Sequence, residues 1–173
     1  MKTMTAPAPA NAAAKGDPRA GKYLTFGLGN EEFAIQVMRV REIMGIQEVT
    51  AVPQTPDYVK GVLNLRGKVI PVMDLRLKFG MPELEYTQRT CIIVAQIESP
   101  GGKVQIGIIV DGVSDVLTLQ GSDIEDTPDF GNGVVTPYIL GLAKIKNKVK
   151  ILLDINMVLT AQEIHGMGEI TTG

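Results

Sequence analysis

The histidine and the cysteine of this chain each occur once, as His165 and Cys91, and they are the first candidates for acid–base or nucleophilic chemistry. His165 lies in the polar, glycine-rich stretch 162–173, and a fraying chain end does not hold a general base in place. Cys91 begins the apolar run Cys91–Val94, which predicts a small buried side chain with no histidine nearby in sequence to activate it. We therefore expect no catalytic residue, and a single cysteine excludes an internal disulfide and a thiolate metal cluster.

The glycine-rich stretches do not match a phosphate-binding loop. Residues 27–29 read Gly-Leu-Gly, but Asn30 and two glutamates follow where a dinucleotide fingerprint needs a third glycine. Residues 131–133 fail in the same way, and the sequence contains no Gly-Lys-Ser or Gly-Lys-Thr. These glycines indicate turns, so no cofactor is expected.

The composition indicates a globular protein without a surface for nucleic acid. The 173 residues are 45% hydrophobic, and 17 basic against 19 acidic side chains leave a net charge of −2. No apolar run approaches the roughly 20 residues that span a bilayer. Met1–Arg19 also lacks the apolar core of a signal peptide. We therefore expect a cytoplasmic protein with no membrane insertion.

Alternating apolar residues predict most of the chain to be β-strands. Residues 23–28 and 33–37 predict a hairpin. Residues 40–44 carry apolar side chains at helical spacing and predict one helical turn, and 46–52 predicts another short strand. Residues 61–75 predict a second hairpin around Arg66-Gly67-Lys68, with Pro71 favouring an edge position.

The second half of the chain predicts a meander and a last hairpin. Asp74 is expected to cap a short helix over 75–79. Three further strands, with Asp111-Gly112 as a hairpin turn, are predicted over 91–97, 104–110 and 113–119. A hairpin around Asn147 and a closing helix are predicted over 138–155 and 155–162.

Two segments of the sequence repeat. Residues 61–75 and 141–155 carry Gly, Lys, Val and Asp at equivalent positions. Upstream of them, residues 34–43 resemble 107–116. Two matches in the same order predict two structurally related halves that share an apolar interface, with a groove at the seam.

The repeat sets the expected domain organisation. After a disordered leader, 1–20, the folded domain spans 21–161 in halves of approximately 22–82 and 88–160, and a flexible tail covers 162–173. Five short strands in each half predict a small closed barrel, because closure removes exposed strand edges. The sequence leaves open whether the first strands are exchanged between the halves.

Two residues allow a plain and a functional interpretation. Arg66 is either a solvated turn residue or a fixed fork aimed at a carboxylate or at carbonyl groups. Phe130, in the polar loop 120–133, either packs that loop onto a barrel or is an exposed anchor for a neighbouring domain.

The chain resembles the CheW family of chemotaxis coupling proteins. The turn Asn64-Leu65-Arg66-Gly67, followed by Pro71 and by Asp74-Leu75, is specific to that family's pattern, and the resemblance covers about 22–160. The segments that carry it are 23–35, 40–43, 52–56, 59–76, 107–116, 138–141 and 151–154.

The resemblance implies an all-β fold of two SH3-like five-stranded β-barrels packed together, with short helices and a C-terminal helix. It implies a non-catalytic signalling adaptor that couples the cytoplasmic tips of chemoreceptors to the regulatory domain of the histidine kinase CheA. Such adaptors are recruited to receptor arrays at the membrane, where other copies of the adaptor are further partners in rings.

The resemblance also implies two sets of binding residues. A receptor tip, a helical hairpin, would lie in a groove between the barrels, lined by Val40, Glu42, Gly61, Asn64, Leu65, Arg66, Gly67, Cys91, Val116 and Gly141. The kinase would contact Val49, Val113, Asp129 and Phe130. The alternative is a sensor that binds a small ligand, such as a nucleotide, in the same groove, and the missing phosphate cradle makes it the second choice.

Overall fold

The computed structural model describes residues 16–99, 101–128 and 137–158. The strands are β1 (Gly21–Leu28), β2 (Glu31–Gln36), β3 (Val40–Gly45), β4 (Val59–Leu65), β5 (Lys68–Asp74), β6 (Cys91–Ser99), β7 (Gly102–Val110), β8 (Gly112–Leu119), β9 (Ile124–Glu125), β10 (Ile139–Ile145) and β11 (Lys148–Leu153). The helices are α1 (Leu75–Lys78) and α2 (Ile155–Val158), with 3₁₀ turns at Val37–Arg39 and Gly121–Asp123. The predicted all-β class is confirmed.

The strands form two sheets. Sheet I has the order β8-β1-β2-β11-β10-β9, and sheet II has the order β3-β6-β7-β5-β4. Each sheet contains one parallel pair, β11 with β2 in sheet I and β5 with β7 in sheet II. Closure of each sheet into a barrel stays a prediction.

The two sequence repeats exchange their first strands. Leu152 pairs with Ala34 in sheet I, and Val72 pairs with Gly107 in sheet II, so equivalent residues of the two repeats make equivalent parallel contacts. As a result, β1 and β2 pair with β8 and β11 and not with the strands that follow them along the chain. The contiguous halves 22–82 and 88–160 therefore do not form one sheet each.

Asp111 marks a crossing between the sheets and not a hairpin turn. It is the single residue between β7 in sheet II and β8 in sheet I, and its backbone N–H donates to the carbonyl of Gly27 at 3.0 Å. Strand β8 pairs with β1, for example Val116 with Leu24. The predicted meander is wrong at this point, because the Asp-Gly signal marks a change of direction but does not specify the partner strand.

Residues 40–44 form a strand and not a helical turn. Strand β3 pairs with β6, and its register shifts between Val40 and Glu42. Burial alternates along β3, but Ile43 lies on the exposed face and Glu42 on the half-buried face, so the apolar residues fall at a helix-like spacing. Residues 46–52, predicted as a strand, make only a bridge at Thr50 to Val62 in the described structure.

The two predicted hairpins around residues 66 and 147 are confirmed. Arg66 and Gly67 join β4 to β5 with φ angles of 51° and 85°, and Lys146 and Asn147 join β10 to β11 with φ angles of 54° and 66°. Two successive positive φ angles are typical of the tight turns whose twist matches antiparallel strands.

Pro71 lies in an interior strand, although its missing N–H predicts an edge. Strand β5 has β4 on one side and β7 on the other, and the β7 ladder begins at Val72. On the β4 side Pro71 faces Val62, whose N–H and carbonyl both bond to Thr50 at 2.9 Å. Neither neighbouring strand therefore requires a backbone N–H at position 71, which explains why a proline is tolerated inside the sheet.

A central core joins the two sheets. It combines Phe26 of β1 and Leu153 of β11 with Met73 of β5 and Ile93 of β6, which confirms the expected shared apolar interface. Strand β1 is buried on both faces, because Tyr23 packs into a second cluster with Leu119 and Leu152 while Phe26 faces the central core.

Aspartates cap both short helices at equivalent positions of the repeat. Asp74 Oδ1 accepts from the N–H of Arg76 at 3.0 Å, and Asp154 Oδ1 accepts from the N–H of Asn156 at 3.0 Å. The predicted helix over 75–79 is thus confirmed over Leu75–Lys78. Of the predicted helix over 155–162, the described part is Ile155–Val158.

The end of the predicted leader is folded. Arg19 bonds to Leu140 of sheet I and pairs with Asp17, so the expected disordered stretch 1–20 is wrong for residues 16–20. Residues 1–15, Asp129, Phe130 and the tail with His165 lie outside the described residues.

Candidate functional site: an exposed surface on the outer strands

Arg66 and Glu42 form an ion pair between the two outer strands of sheet II. Arg66 lies in the β4–β5 turn, and Glu42 lies on β3. Nη1 of Arg66 donates to Oε2 of Glu42 at 3.3 Å, and Nη2 donates to Oε1 in a shorter contact. The turn itself is braced by Asn64, whose Oδ1 accepts from the N–H of Gly67 at 2.9 Å. Asn64 thus braces the backbone of the turn, and the bonds to Glu42 orient the guanidinium.

This ion pair is electrostatically coupled and open to solvent. The hydrogen bonds from Arg66 lower the pKa of Glu42, and the carboxylate of Glu42 raises the pKa of Arg66. The side chain of Arg66 is 72% exposed. Both interpretations of Arg66 therefore apply in part. It is a solvated turn residue, and its guanidinium bonds to a carboxylate of the same chain, that of Glu42.

Apolar side chains stand exposed on the outer strands of both sheets. Val116 on β8 is 56% exposed and pairs with Leu24 of β1. Ile43 on β3 is 44% exposed and pairs with Ile93 of β6. The two occupy equivalent positions in the repeat. Ile43 was not among the candidates, although the match of 34–43 with 107–116 already pairs it with Val116.

The predicted groove residues divide between the two sheets. Sheet II carries Val40, Glu42, Gly61, Asn64, Leu65, Arg66, Gly67 and Cys91, and sheet I carries Val116 and Gly141. Within sheet II, Val40 and Leu65 are half-buried. The structure brings Glu42 and Arg66 into contact, whereas Val116 and Gly141 lie on strands of the other sheet.

Gly61 and Gly141 allow close approach of the chain to itself. A Cβ at Gly61, where φ is 143°, would lie 2.0 Å from the carbonyl oxygen of Thr50. A Cβ at Gly141 would lie 2.8 Å from the carbonyl oxygen of Glu125 and 2.9 Å from Nη1 of Arg19. These glycines are predicted to line the receptor groove, but the described structure fills the space at both positions with the chain's own atoms.

Cys91 is half-buried at the start of β6, where the sequence predicts a buried side chain. It pairs with Gly45 of β3, and its Sγ donates to the carbonyl of Arg89 at 3.2 Å. Its place beside β3 puts it next to the outer strand that carries Glu42.

The described kinase-facing candidates occupy different environments. Val49 packs against a core cluster of sheet II and lines a groove of about 630 Å³ together with Ile46, Leu84 and Tyr86. Leu84 in that groove is 55% exposed. Val113 packs against the central core.

A separate polar cavity bears on the nucleotide alternative. It measures about 730 Å³, and Glu31, Glu32 and Asp111 line it together with Arg89 and Lys148. Three carboxylates against two cations disfavour a phosphate group. Among the described residues there is also no helix long and apolar enough to cross a membrane, and no group of three or more metal-ligating side chains.

Comparison with known families gives one match over most of the chain. The family model for the CheW-like domain matches residues 22–163.

Several relatives of the chain are named "Chemotaxis protein CheW". The chain is 40% identical over 149 residues to "Chemotaxis protein CheW" of Klebsiella aerogenes, an alignment that covers 86% of this chain and 87% of the relative. It is 38% identical over 152 residues to the protein of that name in Rhizobium meliloti, with 87% and 96% coverage. The corresponding Bacillus subtilis protein is 36% identical over 138 residues, with 80% and 86% coverage.

A solved structure shares the fold. The crystal structure of the scaffolding protein TtCheW from Thermoanaerobacter tengcongensis matches with a TM-score of 0.71 and 29% sequence identity. The match covers 83% of this chain and 97% of that protein.

Proposed function

The chain belongs to the CheW family of chemotaxis coupling adaptors, and on that basis we propose that it joins the cytoplasmic tips of chemoreceptors to the histidine kinase CheA. In this role the chain catalyses no reaction and acts by holding two proteins in contact. It works in the cytoplasm, recruited to receptor arrays at the membrane, with further copies of the adaptor as neighbours in the array.

The Glu42–Arg66 pair is the observation that carries the receptor side of the proposal. A receptor tip is an amphipathic helical surface, which needs apolar contact together with an oriented polar group. Arg66 supplies a guanidinium oriented by Glu42, and Val40 and Leu65 supply half-buried apolar contact in the same sheet. Because Arg66 is exposed, a partner carboxylate or carbonyl can share the fork that now faces Glu42.

The groove around Val49 supports the kinase side. Its exposed apolar lining, with Leu84 and Tyr86, offers an anchor pocket of the kind that protein interfaces use. The groove lies between residues 46–49 and 83–86, beside Lys60 of β4 and Ile109 of β7, and Lys60 and Glu83 form an ion pair among its lining residues. Val113, Asp129 and Phe130 stay predictions for the same partner.

Titration calorimetry tests the proposed function against the nucleotide alternative. The purified chain is titrated separately with a chemoreceptor tip fragment, the regulatory domain of CheA, ATP and GTP. We expect saturable binding of the two proteins and no heat from the nucleotides. Saturable nucleotide binding without either protein would replace the adaptor by a ligand sensor.

A further inference from the structure

One side of the groove around Val49 is a thin wall, residues 84–86, with space on both of its faces. Leu84, Glu85 and Tyr86 line the groove of about 630 Å³ and also a smaller cavity of about 130 Å³, which Asp74 lines as well. Because there is space on both sides, close packing alone does not fix the position of this wall.

Polar contacts attach the chain to the rest of sheet II on either side of the wall. Before it, Nη1 of Arg76 donates to the carbonyl of Pro82 at 3.0 Å. After it, the backbone N–H of Thr87 donates to Oγ1 of Thr90 at 2.8 Å. These contacts hold the two ends, so the position of the wall between them depends on its own residues.

Tyr86 connects the wall itself to the interior. Its hydroxyl donates to Oδ2 of Asp74 at 3.0 Å, while Oδ1 of Asp74 accepts from the N–H of Arg76 at 3.0 Å. Asp74 is 2% exposed, so its carboxylate is a fixed acceptor at the start of α1. Within the described part of the chain, Leu84 and Glu85 make no hydrogen bond or ion pair. The polar anchor of the wall is therefore the hydroxyl of Tyr86.

The ring and the hydroxyl of Tyr86 make separate contacts. Tyr86 is 40% exposed and lines the groove, whereas its hydroxyl is bonded to the buried carboxylate of Asp74. Burial raises the pKa of Tyr86, and the neighbouring carboxylate raises it further, so the hydroxyl keeps its proton and donates at neutral pH. A partner in the groove can contact the ring while the hydroxyl stays bonded inside the chain.

We propose that Tyr86 is a positioning residue, whose hydroxyl bond to Asp74 holds residues 84–86 between the two spaces and keeps the groove in the shape that a partner contacts. Without this anchor a partner would have to order the wall on binding, and that ordering lowers the affinity. The partner assignment rests on the proposed function, in which CheA binds in this groove. The anchor itself rests on the contacts of Tyr86 and Asp74.

Two variants of the full chain that each lose one hydroxyl separate the anchor from the ring. Tyr86→Phe keeps the ring and removes the bond to Asp74. Tyr138→Phe is the matched control, because Tyr138 stacks on Phe79 and its hydroxyl makes no hydrogen bond to any described residue. Calorimetry measures the affinity for the CheA regulatory domain and for a receptor tip. We expect Tyr86→Phe to weaken kinase binding about three- to tenfold and to leave receptor binding unchanged, and Tyr138→Phe to change neither.

The acceptor end of the bond is tested at Asp74. Asp74→Asn keeps a residue that caps a helix, but it offers one acceptor oxygen where the structure uses two. Asp154→Asn is the equivalent change at the cap of α2. We expect Asp74→Asn to weaken kinase binding as Tyr86→Phe does, and Asp154→Asn to leave it unchanged. The double variant of Asp74→Asn with Tyr86→Phe should bind no more weakly than either single variant, because both remove the same bond.

Methyl relaxation NMR measures the mobility of Leu84 in the free chain. We expect the order parameter of the Leu84 methyl groups to fall in Tyr86→Phe and to stay unchanged in Tyr138→Phe. A loss of kinase affinity without this increase in mobility would contradict the anchor.

Kinase binding that is unchanged in Tyr86→Phe would overturn the proposal, because the ring alone would then account for any contact. An equal loss of kinase and receptor binding would also overturn it, since this indicates a general effect on the fold. If the unaltered chain does not bind the CheA domain, the proposed kinase role is wrong, while the mobility of Leu84 still decides whether Tyr86 positions the wall.

Discussion

Arg66 contributes to an exposed surface more than to the stability of the fold. Water and ions screen its pair with Glu42, and exposed pairs of this kind contribute little to the free energy of unfolding. The bonds to Glu42 nevertheless give the guanidinium one direction, which reduces the ordering that a partner has to impose on it. We therefore expect a substitution of Arg66 to change the affinity for a partner more than the free energy of unfolding.

Arg66→Ala is expected to weaken the binding of a receptor tip about tenfold, because an oriented arginine is a frequent hot spot in interfaces. The melting temperature should change by no more than about 2 °C, since no core contact is lost. Calorimetry and thermal unfolding measure the two effects. The exposed Lys103 provides the control variant Lys103→Ala, and a receptor affinity equal in both variants would exclude Arg66 from the binding surface.

The Asp17 carboxyl, which pairs with Arg19, has a pKa that can be measured. Hydrogen bonds from Arg19 lower the pKa of Asp17 from 3.8 to about 2. A lowered pKa in the folded state means that the pair stabilises the fold above pH 3.8 and is lost as the pH falls toward 2. NMR titration of the Asp17 carboxyl should give a pKa of about 2, returning to about 3.8 in Arg19→Ala. An unchanged pKa in the variant would contradict the described contact.

At the scale of the elements, turns and caps could be predicted from the sequence, and pairing partners could not. The Arg66-Gly67 turn and the Asp74 cap follow from local residue preferences, so both were predictable. The β3 strand was missed because its exposed face carries the apolar Ile43 and its half-buried face carries the charged Glu42, so polarity does not follow the alternation of burial. The partner of β8 was missed because a strand's own pattern shows which face is buried but not which strand lies beside it.

Gly61 should be the position of sheet II that least tolerates a side chain. In Gly61→Ala the new methyl group would overlap the backbone carbonyl of Thr50, and the φ of 143° is itself unfavourable for alanine. We expect a loss of about 3 kcal/mol in the free energy of unfolding, measured by urea denaturation. Gly45→Ala is the matched control on β3, where a Cβ meets nothing within 4 Å. Equal stability of the two variants would contradict the close packing at Gly61.

At the scale of the whole molecule, the exchange of strands makes the two sheets one cooperative unit. The repeat was visible in 61–75 and 141–155, but both repeats carry the same apolar pattern, so pairing within a repeat and pairing between repeats bury the same faces. The candidate site was predictable in part: the family pattern named Glu42 and Arg66, whereas the exposed Ile43 was missed although the repeat pairs it with Val116.

A partly buried ion pair stabilises the crossing between the sheets. Arg76 of α1, 8% exposed, donates to both carboxylate oxygens of Asp111 at 2.8 and 2.9 Å, and one of these oxygens also accepts from the N–H of Gly29 in sheet I at 2.7 Å. Burial opposes ionisation of Asp111, but the bonds from Arg76 and Gly29 outweigh it and lower the pKa of Asp111. At pH values above the usual pKa of a carboxyl group, the pair therefore stabilises the fold. This stabilisation is lost as the pH falls through the lowered pKa of Asp111.

Arg76→Ala is expected to lower the free energy of unfolding by about 2 kcal/mol, because it leaves the Asp111 carboxylate without its cation. The double variant Arg76→Ala with Asp111→Ala should recover part of this loss, since the uncompensated charge is gone. Urea denaturation at pH 7 measures both. The single variant Asp111→Ala completes the comparison. If the double variant loses as much free energy of unfolding as the two single variants together, or more, the two side chains do not stabilise each other.

The coupling of receptor to kinase tests the account most directly. CheA and receptor tips are reconstituted on a membrane surface with and without the chain, and CheA autophosphorylation is measured as the receptor signalling state is changed. We predict that kinase activity follows the receptor only when the chain is present, and that Arg66→Ala reduces this dependence. Kinase activity that is equally responsive, or equally unresponsive, with and without the unaltered chain would contradict the proposed function.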